Sequence, residues 1–233
     1  MSVKKLTFVD KKSLNAIALG GAVLGSGGGG DPYVGRLMTS QSIGESGGVK
    51  VIDIESLPDE ALILPIAMMG APTVMVEKFP SGNEFAQLIP LIEKLLTKPV
   101  SAILCAEAGG LNSTIPFVAA SKLGLPIIDG DAMGRAFPEL QMVTFTLGGI
   151  SATPMAMVDE KGNGCTFDTI SNVWTEKLAR AITIQMGGSA MCSLYPVTAK
   201  QCKDYIIRGS LSLIHHIGNI IEKHSFNAYQ LLV

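Results

Sequence analysis

The chain has 233 residues, of which 47% are hydrophobic and only 16% charged, and its net charge is −2. That length holds one large domain, or one domain and part of a second, and the composition allows a sizeable core with apolar surface left for contacts between copies of the chain, a homo-oligomer. There is no basic stripe with interleaved aromatics, no polybasic patch, no signal core and no apolar run of the ~20 residues that a membrane helix needs, which argues against nucleic-acid and membrane partners and implies the cytoplasm.

In chain order, Asp10 is placed to cap a helix over residues 11–24, where Leu14, Ile17, Ala18 and Val23 recur at helical spacing. A glycine loop, residues 25–32, ends it, and residues 33–42 form a short helix. A strand is expected over 49–54. The continuous apolar run 61–69 reads as a strand buried on both faces. Helix 82–97, strand 100–106, helix 112–123 with Gly124 as its stop, and strand 125–129 then alternate, the pattern of a parallel sheet with helical crossovers. Beyond this come strands at 142–146, 154–158 and 165–170, the second and third of them joined by the turn Lys161-Gly162-Asn163-Gly164. Helix 172–186, strand 190–195, a short helix capped by Thr198 and a last helix over 209–223 complete the chain. The fold class is therefore α/β. An N-terminal domain over residues 1–150 has a mostly parallel sheet flanked by helices, and residues 151–233 begin a partial α+β or β-rich second region.

Gly25, Gly27 and Gly30 match G-x-G-x-x-G, and Asp53 stands where a ribose-binding acid could. A dinucleotide loop must follow a strand, however, and here a helix precedes it; Asp31-Pro32 also replaces the Lys-Ser/Thr of a phosphate loop. The better reading is a mobile backbone loop that approaches a ligand through its N–H groups, with Ser26, Gly27, Gly28, Gly29 and Asp31 as contacts, or else a plain connection between helices. Stronger is the acidic set. Glu107 follows one buried strand, Asp129 ends the next, and Asp131 is two residues later. Parallel neighbours would bring all three to the carboxyl edge of the sheet, where α/β proteins bind ligands. Such carboxylates serve as acid and base or, for Asp129 and Asp131, as oxygen ligands of a divalent metal. Arg135 would hold an anionic group, and Thr73 and Asn112 reach the same edge. The bland alternatives are that Asp129 and Asp131 cap the following segment, that Arg135 forms a structural ion pair, and that Ser81-x-x-Glu84 is a capping box. His215 and His216 point about 100° apart on a helix and do not share an ion. The four cysteines read as buried thiols, and Trp174 as core or interface.

Four segments, residues 25–32, 69–78, 107–116 and 129–142, resemble a family of proteins encoded beside or fused to hydantoinase and oxoprolinase enzymes, also described as S-methyl-thiohydantoin desulfurase-like. The resemblance implies an α/β domain followed by a β-rich one and a link to cyclic amides or thiohydantoins. It implies either an enzyme of hydrolase type or a partner subunit of a hydantoinase-type enzyme. It supplies no catalytic set, so Glu107, Asp129, Asp131 and Arg135 rest on position alone. Members of that family continue beyond the end of this chain, which points to a shortened second domain.

Overall fold

The computed structural model describes residues 3–26, 28–71, 74, 78 and 82–223. Gly27, Thr73, Glu77, Ser81 and His224 lie outside these, as does the tail 225–233. The strands are β1 (Phe8–Val9), β2 (Val49–Ile52), β3 (Leu62–Gly70), β4 (Val100–Cys105), β5 (Ile127–Asp131), β6 (Met155–Val158), β7 (Gly164–Phe167), β8 (Ser189–Ser193), β9 (Val197–Thr198) and β10 (Ile207–Arg208). The helices are α1 (Leu14–Gly25), α2 (Pro32–Ser46), α3 (Glu84–Leu96), α4 (Ile115–Leu123), α5 (Asn172–Gln185), α6 (Ala199–Tyr205) and α7 (Ser210–Lys223).

One sheet runs β1-β2-β5-β4-β3-β8-β6-β7, with β10 beside β5 and β9 beside β3. Its centre, β2-β5-β4-β3, is parallel, as the alternation of strands and helices predicts. The half from β8 outward is antiparallel. Strands from before and after residue 150 thus share one hydrogen-bonded sheet. Successive side chains of a strand point to opposite faces. Leu62, Leu64 and Ile66 of β3, with Ile103 and Ile127, accordingly pack under α1, α3, α4 and α7. Ile63, Leu104 and Ile128 face the other way, against Phe145, Ala179, Tyr195 and Cys202. Both faces are covered, which is why the central strands read as unbroken apolar runs.

Several details differ from the pattern-based reading. Residues 142–146 do not form a strand: Thr144–Leu147 is a single helical turn whose Thr144 N–H and hydroxyl both donate to the Ala132 carbonyl. The expected helix 112–123 begins instead with a 3-10 turn, Gly110–Ser113, before α4. Asp10 is not the cap of α1, a position that Ser13 holds; it accepts instead from the Lys12 and Ser13 N–H groups in a turn just ahead of the helix.

Helices α1 and α7 cross with their backbones in direct approach. A Cβ added at Gly20 would overlap the Ile214 carbonyl, and one at Gly218 would overlap that of Ala16. Both partners are backbone atoms that no rotamer change can move. Gly218→Ala is therefore expected to lower stability by about 1–3 kcal/mol, the range for overpacking a tight core; chemical denaturation with an unchanged m-value measures it.

Candidate functional site

A cavity of about 370 Å³ opens at the carboxyl end of β3 and in front of the loop that follows β4. Its size is within the usual range for small-molecule sites. One wall is the backbone of Gly28–Gly30. A second is the end of β3, including Met68 and Met69. Glu107, Leu111 and Asn112 form the floor, and residues 137–140 form the far wall, backed by Arg180 of α5 and by Cys192 and Leu194.

Glu107 is buried, with 7% of its surface exposed. One carboxylate oxygen, Oε1, accepts from Asn112 Nδ2 at 2.6 Å, and Oε2 accepts from the Phe137 N–H at 3.2 Å. Asn112 is itself fixed: its Oδ1 accepts from the Met68 N–H at 2.7 Å and its Nδ2 also reaches the Met68 carbonyl. Burial raises the Glu107 carboxyl from 4.5 to about 7, and the Asn112 and Phe137 donors offset only part of that rise. The neighbouring charge of Asp131 adds to it. Cys192 lies across the cavity as a buried thiol that donates to the Ala67 carbonyl at 3.3 Å. Burial pushes it up to about 12, so it is a neutral, weakly polar wall.

The other expected acids are used differently. Asp129 and Asp131 do stand at the end of β5 beside Glu107's strand, but neither lines the cavity. Asp129 accepts from the Ser212 N–H at 3.0 Å and the Ser212 hydroxyl at 2.6 Å, at the start of α7. Asp131 is fully buried. Its Oδ2 accepts from the N–H groups of Ala108, Met133 and Gly134, and its Oδ1 from the Ser210 hydroxyl. All four oxygens are thus turned to internal donors, and the pair does not fit a divalent cation. Among the described residues no group of three or more His, Cys, Asp or Glu could hold a metal ion. Arg135 is exposed at the surface, its guanidinium 5.2 Å from the Phe137 ring, outside the cavity lining.

The glycine loop does border the cavity, but α1 precedes it and α2 follows, so it lacks the strand of a dinucleotide loop. Asp53 caps the short turn Ile54–Ser56 and pairs with Lys5. Gly29 lies against the loop after β4. Its carbonyl accepts from the Leu111 N–H at 2.7 Å, and a Cβ on Gly110 would overlap it. The glycines let three loops touch. Asp31 accepts from the Tyr33 N–H as the cap of α2 while also lining the cavity. Ser26 turns back to the Val23 carbonyl and is outside the lining. Sequence reasoning missed Arg180 and Glu176, which reach this edge from α5, and the place of Cys192, which reaches it from the antiparallel strand β8.

Residues 12–169 match the family model described as S-Me-THD-like, N-terminal domain, and residues 170–230 match the S-Me-THD-like, C-terminal domain. The chain belongs to the S-Me-THD-like family. In fold it is similar to a protein from Chromobacterium violaceum known from a crystal structure, with a TM-score of 0.86 at 20% identity over 97% of this chain and 64% of that one. The likeness speaks to the fold alone, and this chain spans less than two thirds of that protein's length. No match was found among curated proteins. Among the described residues no helix is long and apolar enough to cross a membrane.

A titration consequence follows for stability. Between the ordinary value of 4.5 and about 7, folded Glu107 keeps a proton that the unfolded chain has released. The fold is favoured by this group below that window and loses the benefit as pH rises through it. Glu107→Gln removes the titration. Its stability relative to the parent is expected to rise from pH 4.5 to pH 7 by on the order of 3 kcal/mol, read from denaturant curves at each pH.

Proposed function

We propose that the chain is an enzyme acting on a small cyclic amide of the hydantoin or thiohydantoin type, with Glu107 as its acid and base. The observation that carries this reading is a buried carboxyl, raised to about 7, at the floor of a cavity of ligand size. The S-Me-THD-like family supports the ring class. The apolar side chains of Met68, Met69 and Leu111 suit the faces of such a ring, and the Gly29–Gly30 backbone borders the same cavity as a source of donors for ring carbonyls. Ionised Glu107 takes a proton from a water molecule as its oxygen bonds to a ring carbon. The protonated side chain then returns that proton to the ring nitrogen or sulfur as its bond to this carbon breaks. Asn112 keeps the carboxyl oriented through both states by its bond to the β3 backbone.

Turnover of a panel of hydantoins, thiohydantoins and oxoproline is the test. Glu107→Gln is expected to lower kcat by about 10²–10⁴-fold. In the parent, kcat/KM is expected to rise with pH through about 7, because the base must be ionised. Full activity in the variant would end the assignment.

A second reading, a non-catalytic partner of a hydantoinase-type enzyme, is supported by the apolar surface around α5. Ile170 is 91% exposed, Leu147 86% and Ile184 65%, and Trp174 is half exposed beneath Lys177. Large exposed apolar groups in one region mark contact surfaces between proteins or between copies of one chain. Sedimentation analysis separates these arrangements: self-association favours a homo-oligomer, and a stable complex with a hydantoinase-type protein, without turnover by the chain alone, favours the partner subunit.

A further inference from the structure

Residues 137–140 cross the cavity without belonging to a helix or strand. Pro138 has no N–H, so few groups of this segment can be tied to the body of the protein. Those that are tied meet two buried carboxylates and one guanidinium. The Phe137 N–H donates to Glu107 Oε2 at 3.2 Å, and the Leu140 N–H donates to Glu176 Oε2 at 3.0 Å. Arg180 Nε donates to Glu176 Oε1 at 2.8 Å, and Arg180 Nη2 donates to both that oxygen and the Pro138 carbonyl, the latter at 3.1 Å. Just ahead, the Ala136 N–H is held by the Leu24 carbonyl. Phe137 therefore sits between one anchor from α1 and a second from α5.

We propose that Glu176 and Arg180 are the positioning pair of this site, holding residues 137–140 as a strap so that the Phe137 N–H is delivered to Glu107. The inference rests on the cavity reading above. It accounts for a buried glutamate that faces a backbone amide on one oxygen and an arginine fork on the other. It also accounts for an arginine in the cavity wall whose Nε and Nη2 are engaged by Glu176 and the Pro138 carbonyl. Arg180 and Glu176 act here through the strap, not on a ligand.

The test is the titration of Glu107, followed by carbon NMR of its carboxyl, with the resonance identified by its loss in Glu107→Gln. Asp131 acts on Glu107 by its charge, and Asp31, Glu139 and Arg180 line the same cavity; of these and Glu176, the variants change the net charge at Glu176 alone. In Glu176→Ala the strap loses the acceptor for Leu140 and the partner of Arg180. Loss of the Phe137 donor then disfavours the carboxylate, and the midpoint is expected to move up by about half a pH unit or more, the worth of one backbone hydrogen bond. Removing the negative charge of Glu176 through space alone acts in the opposite direction, so the sign separates positioning from simple electrostatics. Arg180→Lys gives a second reading that survives a folding failure of the first. It keeps the charge but not the fork, and the midpoint is again expected to rise. A parent midpoint near 7 that both variants leave in place or lower overturns the inference alone. A parent midpoint at the ordinary glutamate value overturns the reading of the site and the inference with it.

Discussion

The Asp131 carboxylate ties together the parts on which the cavity depends. Buried at the end of β5, it collects the N–H of Ala108 from the loop after β4, the N–H groups of Met133 and Gly134 from its own turn, and the Ser210 hydroxyl at the start of α7. The first bond fixes the residue next to Glu107. The second and third aim the chain toward Phe137 and the strap. The fourth brings in the last helix. A buried carboxylate with this many donors is stabilised by them even as burial pushes its titration up. Asp129 does the same work one pleat away, holding the N-terminus of α7, where backbone N–H groups and the helix dipole favour negative charge.

Glu107 differs from these two in its surroundings. Asp131 is surrounded by fixed donors on both oxygens, whereas Glu107 has one side-chain and one backbone donor and looks into open volume. Burial dominates, and the group holds its proton close to neutral pH. The same imbalance opposes the stability of the folded chain above neutral pH. Such a cost is of the kind that the proposed role of Glu107 as acid and base would retain.

The sheet centre and most helices were legible because their signals are local: apolar runs for β3 and β4, helical spacing in α3, and Gly124 as the left-handed stop of α4 at φ +67°. Glu107 was legible because it directly follows a buried strand. The roles of Asp129 and Asp131 were not, since their partners Ser212 and Ser210 lie about eighty positions later and nothing in the intervening pattern announces the pairing. Residues 142–146 have strand-forming composition, yet the Ala132 carbonyl draws the Thr144 N–H into a turn. Arg180 and Cys192 escaped notice because an arginine on an amphipathic helix and a cysteine in an apolar strand look ordinary until β8 is seen to lie beside β3.

The crossing of α1 and α7 joins two helices from distant parts of the sequence, backbone against backbone. The Leu6 N–H finds the Ser212 hydroxyl across 206 positions of sequence. On a ribosome adding about 5–20 residues per second, the apolar stripe of the first helix would emerge roughly 10–40 s before the surface that covers it. During that interval Leu14 and Ile17 are candidates for chaperone capture or for premature association with another nascent chain. The fold thus leaves α1 waiting for α7, and nascent-chain quality control is the cellular process most exposed to that delay.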